Sequence, residues 1–307
     1  MPTEDYTQYL DPKVLNKVSR LELRARLIVE GFIAGQHKSP YQGFSVEFAS
    51  HREYVAGDDI RHIDWKVFGK SDRFYIKQYE EETNFRAHLL LDASESMAYA
   101  SQGAMTKLDY GATMTAALAY LIIQQQDAAG LVVFDKDVRA QLPVSSSPAH
   151  LRAILSTLAG TKPGEKTKIA STLHAMAEKL SRKGLVVVVS DLFDDPQEIL
   201  LGLQHLRHKK HEVILFHLMD RDEVDFPFQQ LTRFVGLEGI PPILTQPRAL
   251  RQAYLDEVTR FREALRKGCR GYNIDYVPVT TDQTLDVVLT AYLATRAGAK
   301  ARSARSA

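Results

Sequence analysis

The segment Leu185–Asp191, with the sequence LVVVVSD, places the strongest constraint on the fold. Its apolar residues do not alternate with polar ones, so both faces of a strand formed here would be buried. An unbroken β-branched run is typical of the centre of a parallel sheet that is covered by helices on both sides. The segment therefore predicts an α/β protein rather than an all-β or all-helical one.

The rest of the chain after residue 85 agrees with this prediction, because short apolar runs alternate with amphipathic stretches. Strands are predicted over 88–92, 131–134, 185–191, 212–218 and, with an edge-like composition, 272–279. Helices are predicted over 107–126, 145–160, 169–184, 195–211, 248–268 and 284–298. This order predicts a doubly wound, mostly parallel, Rossmann-like sheet flanked by helices, occupying residues 86–298.

The first 85 residues have a different pattern. Residues 10–35 have apolar side chains at helical spacing, and aromatic and charged segments follow, including an alternating run over 73–79 that predicts a strand with one wet face. We expect residues 1–85 to form a separate subdomain of one helix and several strands. The small, basic segment 299–307 is predicted to be a disordered tail.

Composition excludes several classes of function. Lysine and arginine number 39 against 38 acidic residues, so the basic surplus expected of a nucleic-acid-binding protein is missing. The single cysteine, Cys269, rules out an internal disulfide and a zinc-finger site. No apolar run reaches the roughly 20 residues that span a bilayer, and the polar N-terminus does not resemble a secretory signal, so we expect a cytoplasmic protein without membrane insertion.

Oxygen-bearing side chains follow two of the predicted strands at the point where each strand ends. Asp92, Ser94 and Ser96 follow the strand at 88–92, Asp191 ends the strand at 185–191, and Thr167 precedes the helix between them. Ligands of open α/β sheets bind outside the carboxyl ends of the strands, so these residues converge if the two strands are neighbours. Such hard oxygen ligands suit Mg²⁺ or Mn²⁺. Two carboxylates with neutral hydroxyls leave such an ion able to accept a carboxylate from a partner protein.

Each of these residues also has an ordinary structural interpretation. Asp and Ser are common in turns and at helix caps, so Asp92, Ser94 and Ser96 could serve the chain reversal alone. Thr167 could cap the helix that begins near Ile169, in which case Thr161 is the alternative ligand.

The ordered set D-x-S-x-S, then Thr, then Asp resembles the metal-ion-dependent adhesion site of von Willebrand factor A-like domains. The resemblance covers residues 85–300. The preceding block, which contains REYVAGDDIRHIDW, resembles the region upstream of that domain in the bacterial domain-of-unknown-function family fifty-eight. The resemblance implies that Asp92, Ser94 and Ser96 are first-loop ligands, that Thr167 is the second-loop ligand, and that Asp191 is the third, acting through water.

The same resemblance implies a non-enzymatic, Mg²⁺-dependent interaction module. Its implied partner is a MoxR-type AAA+ ATPase, with which it would assist the maturation or assembly of an unknown client. The chain departs from the common pattern at two places: charged residues rather than glycines flank Thr167, and Leu192 follows Asp191 where glycine is often found.

The block around GDDIRHIDW concentrates charged residues and the only tryptophan. We interpret it as a structural ion-pair network or as a partner-docking surface. An enzymatic site is less favoured, because no second histidine or cysteine is near in sequence to complete it. The residues concerned are Arg52, Asp58, Asp59, Arg61, Asp64, Trp65 and Arg73.

Two other functions remain open. Asp92 could be the nucleophile of a Mg²⁺-dependent phosphohydrolase, although the acid that usually stands two residues later is replaced by Ser94. The chain could also be a scaffold with a degenerate, metal-free site. Eight of the histidines show no spacing that predicts two of them beside a carboxylate on one face: His51, His62, His88, His174, His205, His208, His211 and His217.

Overall fold

The computed structural model describes residues 46–53, 67, 74–81, 86–166, 168–236, 241–289 and 291–292. The chain divides into two compact units, one of which is His37–Phe85, while the other holds every described residue from Arg86 onward. In the smaller unit, β1 (Val46–Glu53) pairs antiparallel with β2 (Tyr75–Glu81). This confirms the strand predicted near 73–79.

The larger unit is built on a six-stranded sheet. All neighbouring strands in it are parallel except β5, which runs antiparallel to β4 at one edge. The spatial order is β5-β4-β3-β6-β7-β10, the doubly wound order in which the chain works outward from two central strands. The predicted fold class is confirmed. The strands are β3 (Arg86–Asp92), β4 (Ala128–Phe134), β5 (Val138–Ser145), β6 (Leu185–Ser190), β7 (Glu212–Met219) and β10 (Asp275–Thr280); a small separate ribbon pairs β8 (Thr232–Phe234) with β9 (Ile243–Thr245).

Helices connect these strands, and several of them begin at side-chain caps. Thr106, Ser147 and Asp195 each accept a hydrogen bond from a backbone N–H of the first turn that follows, which satisfies donors that the helix cannot. The helices are α1 (Lys107–Gln124), α2 (Pro148–Gly160), α3 (Ile169–Lys179), α4 (Pro196–His208), α5 (Arg221–Asp225) and α6 (Pro247–Gly271), and residues 285–289 and 291–292 are also helical. Within the described residues, none of the helices combines the length and the apolar character needed to cross a membrane.

Strand β6 is buried along its whole length, as its sequence predicts. Val186 and Val188 point into a cluster formed with α3, α4 and α6. Val189 points to the opposite face, where α1 comes so close that a Cβ on Gly111 would lie 3.2 Å from Val189 Cγ1. Helices therefore cover both faces of the central strand, which explains why none of its residues is polar before Ser190.

The sequence analysis did not predict β5, α5 or the β8–β9 ribbon. Strand β5 carries a period-two signal, because Val138, Ala140 and Leu142 alternate with more exposed residues. Pro143 lies in this edge strand, where the missing N–H costs no ladder hydrogen bond. The predicted helix over 10–35 and the predicted disordered tail over 299–307 lie outside the described residues.

Candidate metal centre at the switch point of the sheet

The strand order places two carboxylates at one point. The two central strands, β3 and β6, are parallel neighbours, and the chain leaves them toward opposite edges of the sheet. A crevice forms where the strand order reverses in this way, and it lies at the carboxyl ends of the strands. Asp92 is the last residue of β3, and Asp191 directly follows β6. The condition on which the predicted convergence depends, that the two strands are neighbours, is met.

Asp92 is fully buried, and hydrogen bonds fix both of its oxygens. Oδ1 accepts from the backbone N–H of Ser94 at 2.9 Å, and Oδ2 accepts from Ser190 Oγ at 2.6 Å. The Ser190 hydroxyl in turn accepts from the backbone N–H of Leu192 at 2.9 Å. Ser190 was not predicted as a functional residue. It joins the loop after β3 to the loop after β6 and orients the Asp92 carboxylate.

The two serines of the D-x-S-x-S segment are brought together. Ser94 is buried, and a short 3₁₀ turn over Glu95–Ala98 returns Ser96 to the same side, where the two hydroxyl oxygens lie 3.1 Å apart. The backbone N–H of Ala93 donates to Phe134 O at 2.7 Å, which ties this loop to β4. The segment thus presents one carboxylate and two hydroxyls within a single turn of chain.

Asp191 is also buried, and its two oxygens have different surroundings. Oδ2 accepts from Lys107 Nζ at 2.7 Å, and the same ammonium donates to Glu223 Oε1 at 2.6 Å. Oδ1 is buried and makes no hydrogen bond to any described residue. Such a carboxylate oxygen is costly to bury, which makes it the clearest candidate ligand atom in the site.

Lys107 is a residue that the sequence analysis missed. It is the first residue of α1 and is almost completely buried. Burial alone would lower its pKa, but the carboxylates of Asp191 and Glu223 outweigh burial and hold the pKa above its ordinary value. A signal was present in the sequence, because a lysine in the first turn of a helix interacts unfavourably with the helix dipole and is expected there only when another contact stabilises it.

The charges at the site leave Asp92 poorly stabilised as an anion. Burial first, and the nearby charge of Asp191 second, raise the pKa of Asp92 from 3.8 to about 7, against the opposing effect of its hydrogen bonds from Ser190 and Ser94.

These observations fit a small, hard divalent cation. Such a cation between the two carboxylates would offset the repulsion that raises the pKa of Asp92, and it would give Asp191 Oδ1 a partner. No three His, Cys, Asp or Glu side chains in the described ranges come together as a metal-binding group. Hydroxyl ligands, for which Ser94 and Ser96 are placed, would have to complete the coordination.

The loop before α3 is fastened beside the D-x-S-x-S loop. Gly164 N donates to Ala93 O at 2.7 Å, and Glu165 N donates to Asp135 Oδ2 at 3.2 Å. A Cβ on Gly164 would lie only 1.9 Å from that Asp135 oxygen, so this approach requires glycine. Thr167 itself lies outside the described residues. The alternative ligand Thr161 donates its hydroxyl to Thr157 O at 2.8 Å and is thus engaged at the end of α2.

The loop after β6 contains a residue in the left-handed backbone conformation that is not a glycine. Leu192 has φ of 57° and a fully buried side chain. A left-handed conformation costs a non-glycine residue roughly 1–2 kcal/mol, which burial of the leucine side chain offsets. The next residue, Phe193, is 55% exposed. The loop therefore turns an aromatic side chain outward two residues after Asp191.

The structure describes little of the predicted ion-pair network. The backbone of Arg52 lies in β1, where it pairs with Ile76. The remaining members lie outside the described residues: Asp58, Asp59, Arg61, Asp64, Trp65 and Arg73.

The strand order defines an α/β protein of the doubly wound class, and its candidate functional site lies at the switch point of the sheet. The family model described as "Protein of unknown function DUF58" matches residues 50–264, and the chain belongs to that family. Its relatives include the uncharacterized proteins Rv1480 of Mycobacterium tuberculosis (strain ATCC 25618 / H37Rv) and Mb1516 of Mycobacterium bovis (strain ATCC BAA-935 / AF2122/97). Each is 23% identical over 291 residues, covering 93% of this chain and 90% of the relative.

Three solved structures are similar to the chain. Protein BatB from Bacteroides thetaiotaomicron is 14% identical, with a TM-score of 0.45, and the match covers 70% of this chain and 98% of BatB. An aerotolerance-related membrane protein from Bacteroides fragilis is 17% identical, with the same TM-score and coverage. The SpRpn10 VWA domain is 11% identical, with a TM-score of 0.40, covering 67% of this chain and 93% of that domain. The fold assignment rests on the strand order and register described above.

Proposed function

We propose that this protein is a non-enzymatic interaction module that binds Mg²⁺ or Mn²⁺ and docks onto an acidic side chain of a partner protein. The observation that carries the proposal is Asp191 Oδ1, which is buried and has no hydrogen-bond partner among the described residues, at the strand end beside Asp92. The raised pKa of Asp92, about 7, adds to it. Asp92, Asp191, Ser94 and Ser96 would hold the ion, with Thr167 as a further ligand. The bound ion would supply a positively charged coordination position open to the partner's carboxylate.

The contacts of Asp92 favour docking over phosphoryl transfer. A nucleophilic aspartate needs an oxygen that can approach phosphorus, whereas the two oxygens of Asp92 accept hydrogen bonds from Ser94 N and Ser190 Oγ. It also needs a nearby general acid. The acidic neighbour at the next strand end, Asp191, is an ion-pair partner of Lys107 instead. These contacts support a role of the two carboxylates as fixed ligands.

The surface beside the site also favours docking. Phe193 is 55% exposed and directly follows the ligand candidate Asp191 and the buried Leu192. Aromatic side chains at the centre of an interface often supply a large part of the binding energy. We expect the partner to place an apolar group against Phe193 while its carboxylate approaches the ion.

We further propose, on the resemblance described in the sequence analysis, that the partner is a MoxR-type AAA+ ATPase acting in the cytoplasm. The pair would assist the maturation or assembly of another protein complex. An interaction that depends on the partner's carboxylate and on a bound ion would allow the module to be released when either is withdrawn.

A pull-down with the tagged full-length protein tests this function. Host lysate is applied with Mg²⁺ or with EDTA, using wild type, Asp92→Ala and the control Asp256→Ala, which removes an exposed carboxylate on α6. We expect an AAA+ ATPase to be retained by wild type and by Asp256→Ala with Mg²⁺, and to be lost with EDTA or with Asp92→Ala. Retention that is indifferent to EDTA and to Asp92→Ala contradicts the proposal.

A further inference from the structure

We propose that α3 and α4 carry a second cation site, formed by His174 and His205, for a transition metal of the Zn²⁺ class. The Nδ1 atoms of the two imidazoles lie 3.0 Å apart, and Glu178 Oε1 lies 2.9 Å from the other ring nitrogen of His205. The expectation that no two of the eight histidines considered would meet beside a carboxylate is therefore wrong. The mistake arose because the pair is made by helix packing rather than by sequence spacing.

A close helix crossing brings the two histidines together. A Cβ on Gly202 of α4 would lie 2.9 Å from Leu173 Cβ and 3.2 Å from Ala170 O, both on α3. The two backbones can approach to this distance only because residue 202 has no side chain. Leu173 immediately precedes His174, and Gly202 is three residues before His205, so the close crossing brings the imidazoles together with their ring planes tilted by 50° and their centroids 5.2 Å apart.

Glu178 prepares His205 to act as a ligand. It lies one helical turn after His174, and its carboxylate accepts from the Nε2–H of His205. With the proton on Nε2, the Nδ1 of His205 carries a lone pair directed at His174. A carboxylate bonded to the far nitrogen of a ligating histidine is the usual arrangement in metal sites, where it fixes the tautomer and raises the basicity of the ligand.

Lys209 keeps Glu178 in the acceptor state. Its ammonium lies 3.0 Å from Glu178 Oε2, and its hydrogen bond and charge hold the pKa of Glu178 below its ordinary value. Lys209 bonds the carboxylate and makes no described contact with either imidazole, so it does not occupy the space between the two Nδ1 atoms.

The spacing of the two nitrogens suits a metal. With Zn–N bonds of about 2.0–2.1 Å, nitrogens 3.0 Å apart subtend roughly 94° at the metal, and a small rotation of either ring would open this to a tetrahedral angle. Imidazole ligands select Zn²⁺, Ni²⁺ or Cu²⁺ over Mg²⁺. Because two protein nitrogens converge and the His205 side chain is 28% exposed, water would complete the coordination.

A metal at this position would join α3 and α4, and each of these helices begins after a loop that carries a candidate ligand of the metal centre. Helix α3 starts two residues after Thr167, and α4 starts after the loop that contains Asp191 and Phe193. By binding His174 and His205, the ion would hold these two helices together. Without it, the two Nδ1 atoms share one proton.

The test is a Zn²⁺ titration of the untagged, chelator-treated full chain by calorimetry, in excess Mg²⁺ to occupy hard-oxygen sites. The variants are His174→Gln, His205→Gln and Glu178→Gln, with His208→Gln as the matched control because His208 is an exposed histidine on the same helix. We expect His174→Gln and His205→Gln to lose one Zn²⁺ equivalent and His208→Gln to keep it. Glu178→Gln should weaken binding about 10–100-fold.

Two further readouts separate loss of the site from loss of the fold. Far-ultraviolet circular dichroism should be the same for all four variants, and Zn²⁺ should raise the melting temperature of wild type and of Asp92→Ala but not of His174→Gln. The proposal is overturned if wild type binds no Zn²⁺, or if His174→Gln and His205→Gln match wild type in stoichiometry and affinity. In either case the pair is only a proton-sharing contact between helices.

Discussion

The Asp92–Asp191 site and the His174–His205 pair are both small groups of potential metal ligands, yet they are built in opposite ways. Asp92 and Asp191 follow adjacent buried strands, so backbone register alone brings them together. The histidines lie on two helices and meet because α3 and α4 cross closely at Gly202. The first site is thus a property of sheet topology, and the second is a property of side-chain packing.

The two sites also differ in what surrounds the ligand atoms. At the switch point the carboxylates are buried, so their charges act strongly on each other and on Lys107. At the helix pair the ligands are partly exposed, and solvent screens Glu178 and Lys209. Changes at the first site should therefore alter the stability of the whole domain. Substitution of the histidines or Glu178 at the second site should alter metal affinity with little cost to the fold.

The largest effect is expected from Lys107→Met. This change leaves the buried Asp191 and the partly exposed Glu223 without their cation, and breaking a buried ion pair such as Lys107–Asp191 by removing one partner costs about 3–5 kcal/mol. The measurement is the free energy of unfolding by denaturant. The control is Lys136→Met, which removes a half-exposed lysine 3.5 Å from Glu165 and should cost less than about 1 kcal/mol. Equal losses for the two variants would contradict the buried network.

A pH-dependent effect of similar size is expected at Asp92. Its pKa in the folded protein, about 7, lies above the ordinary value of 3.8, so the folded state holds the proton more tightly than the unfolded state does. Stability without metal should therefore fall as the pH rises from about 4 to 7. Each tenfold difference in proton affinity is worth about 1.4 kcal/mol, so the loss reaches up to about 4 kcal/mol.

Asp92→Asn tests the cause of this pH dependence. In EDTA at pH 8, the variant should be more stable than wild type, because it removes the buried anion, while its amide oxygen can accept from Ser94 N and its NH2 group can donate to Ser190 Oγ. Adding Mg²⁺ should stabilise wild type and leave the variant unchanged. The measurement is thermal unfolding from pH 4 to 8. A variant that is less stable than wild type in EDTA at pH 8 would show that the Asp92 anion does not destabilise the metal-free fold.

A smaller effect is expected from Gly202→Ala, which acts on the helix pair alone. The new Cβ would lie 2.9 Å from Leu173 Cβ and must push α3 and α4 apart, at a cost of about 1–3 kcal/mol. Zn²⁺ affinity should fall while the Mg²⁺ response stays unchanged. The matched control is Gly160→Ala, since a Cβ on Gly160 meets no atom within 4 Å. If Gly202→Ala bound Zn²⁺ as tightly as wild type, the histidines would not depend on the close crossing.

The same contrast explains what could be predicted from the sequence. The strand ends were predictable, because apolar runs mark buried strands and the residue after each run is then fixed at the sheet edge; Asp92 and Asp191 were found in this way. The histidines were not, because two residues 31 positions apart gave no pattern. One weak signal existed: His174 and Glu178 are one helical turn apart.

Lys107 and the edge strand β5 were missed for different reasons. A buried lysine cannot be distinguished in sequence from an exposed one unless its unfavourable position in the first turn of α1 is noticed. Strand β5 shows the alternation of a half-buried strand, but it returns antiparallel after a short turn, which the pattern of parallel βα units does not suggest. Regular patterns of apolar residues therefore predicted the parallel strands and their helices. Features that depart from those patterns, such as the buried Lys107 and the antiparallel β5, were not predicted.

The smallest effect on stability, with a clear effect on binding, is expected from Phe193→Ala. The side chain is 55% exposed, so its removal should change the free energy of unfolding by less than about 0.5 kcal/mol. If Phe193 contacts the partner beside the metal centre, the variant should lose at least about 1 kcal/mol of binding, or roughly fivefold in retention of the ATPase with Mg²⁺ present. The control is Leu231→Ala, which removes another exposed apolar side chain, 63% exposed, just before β8. Equal retention by wild type, Phe193→Ala and Leu231→Ala would mean that the left-handed turn at Leu192 serves the fold of the loop and not the docking of a partner.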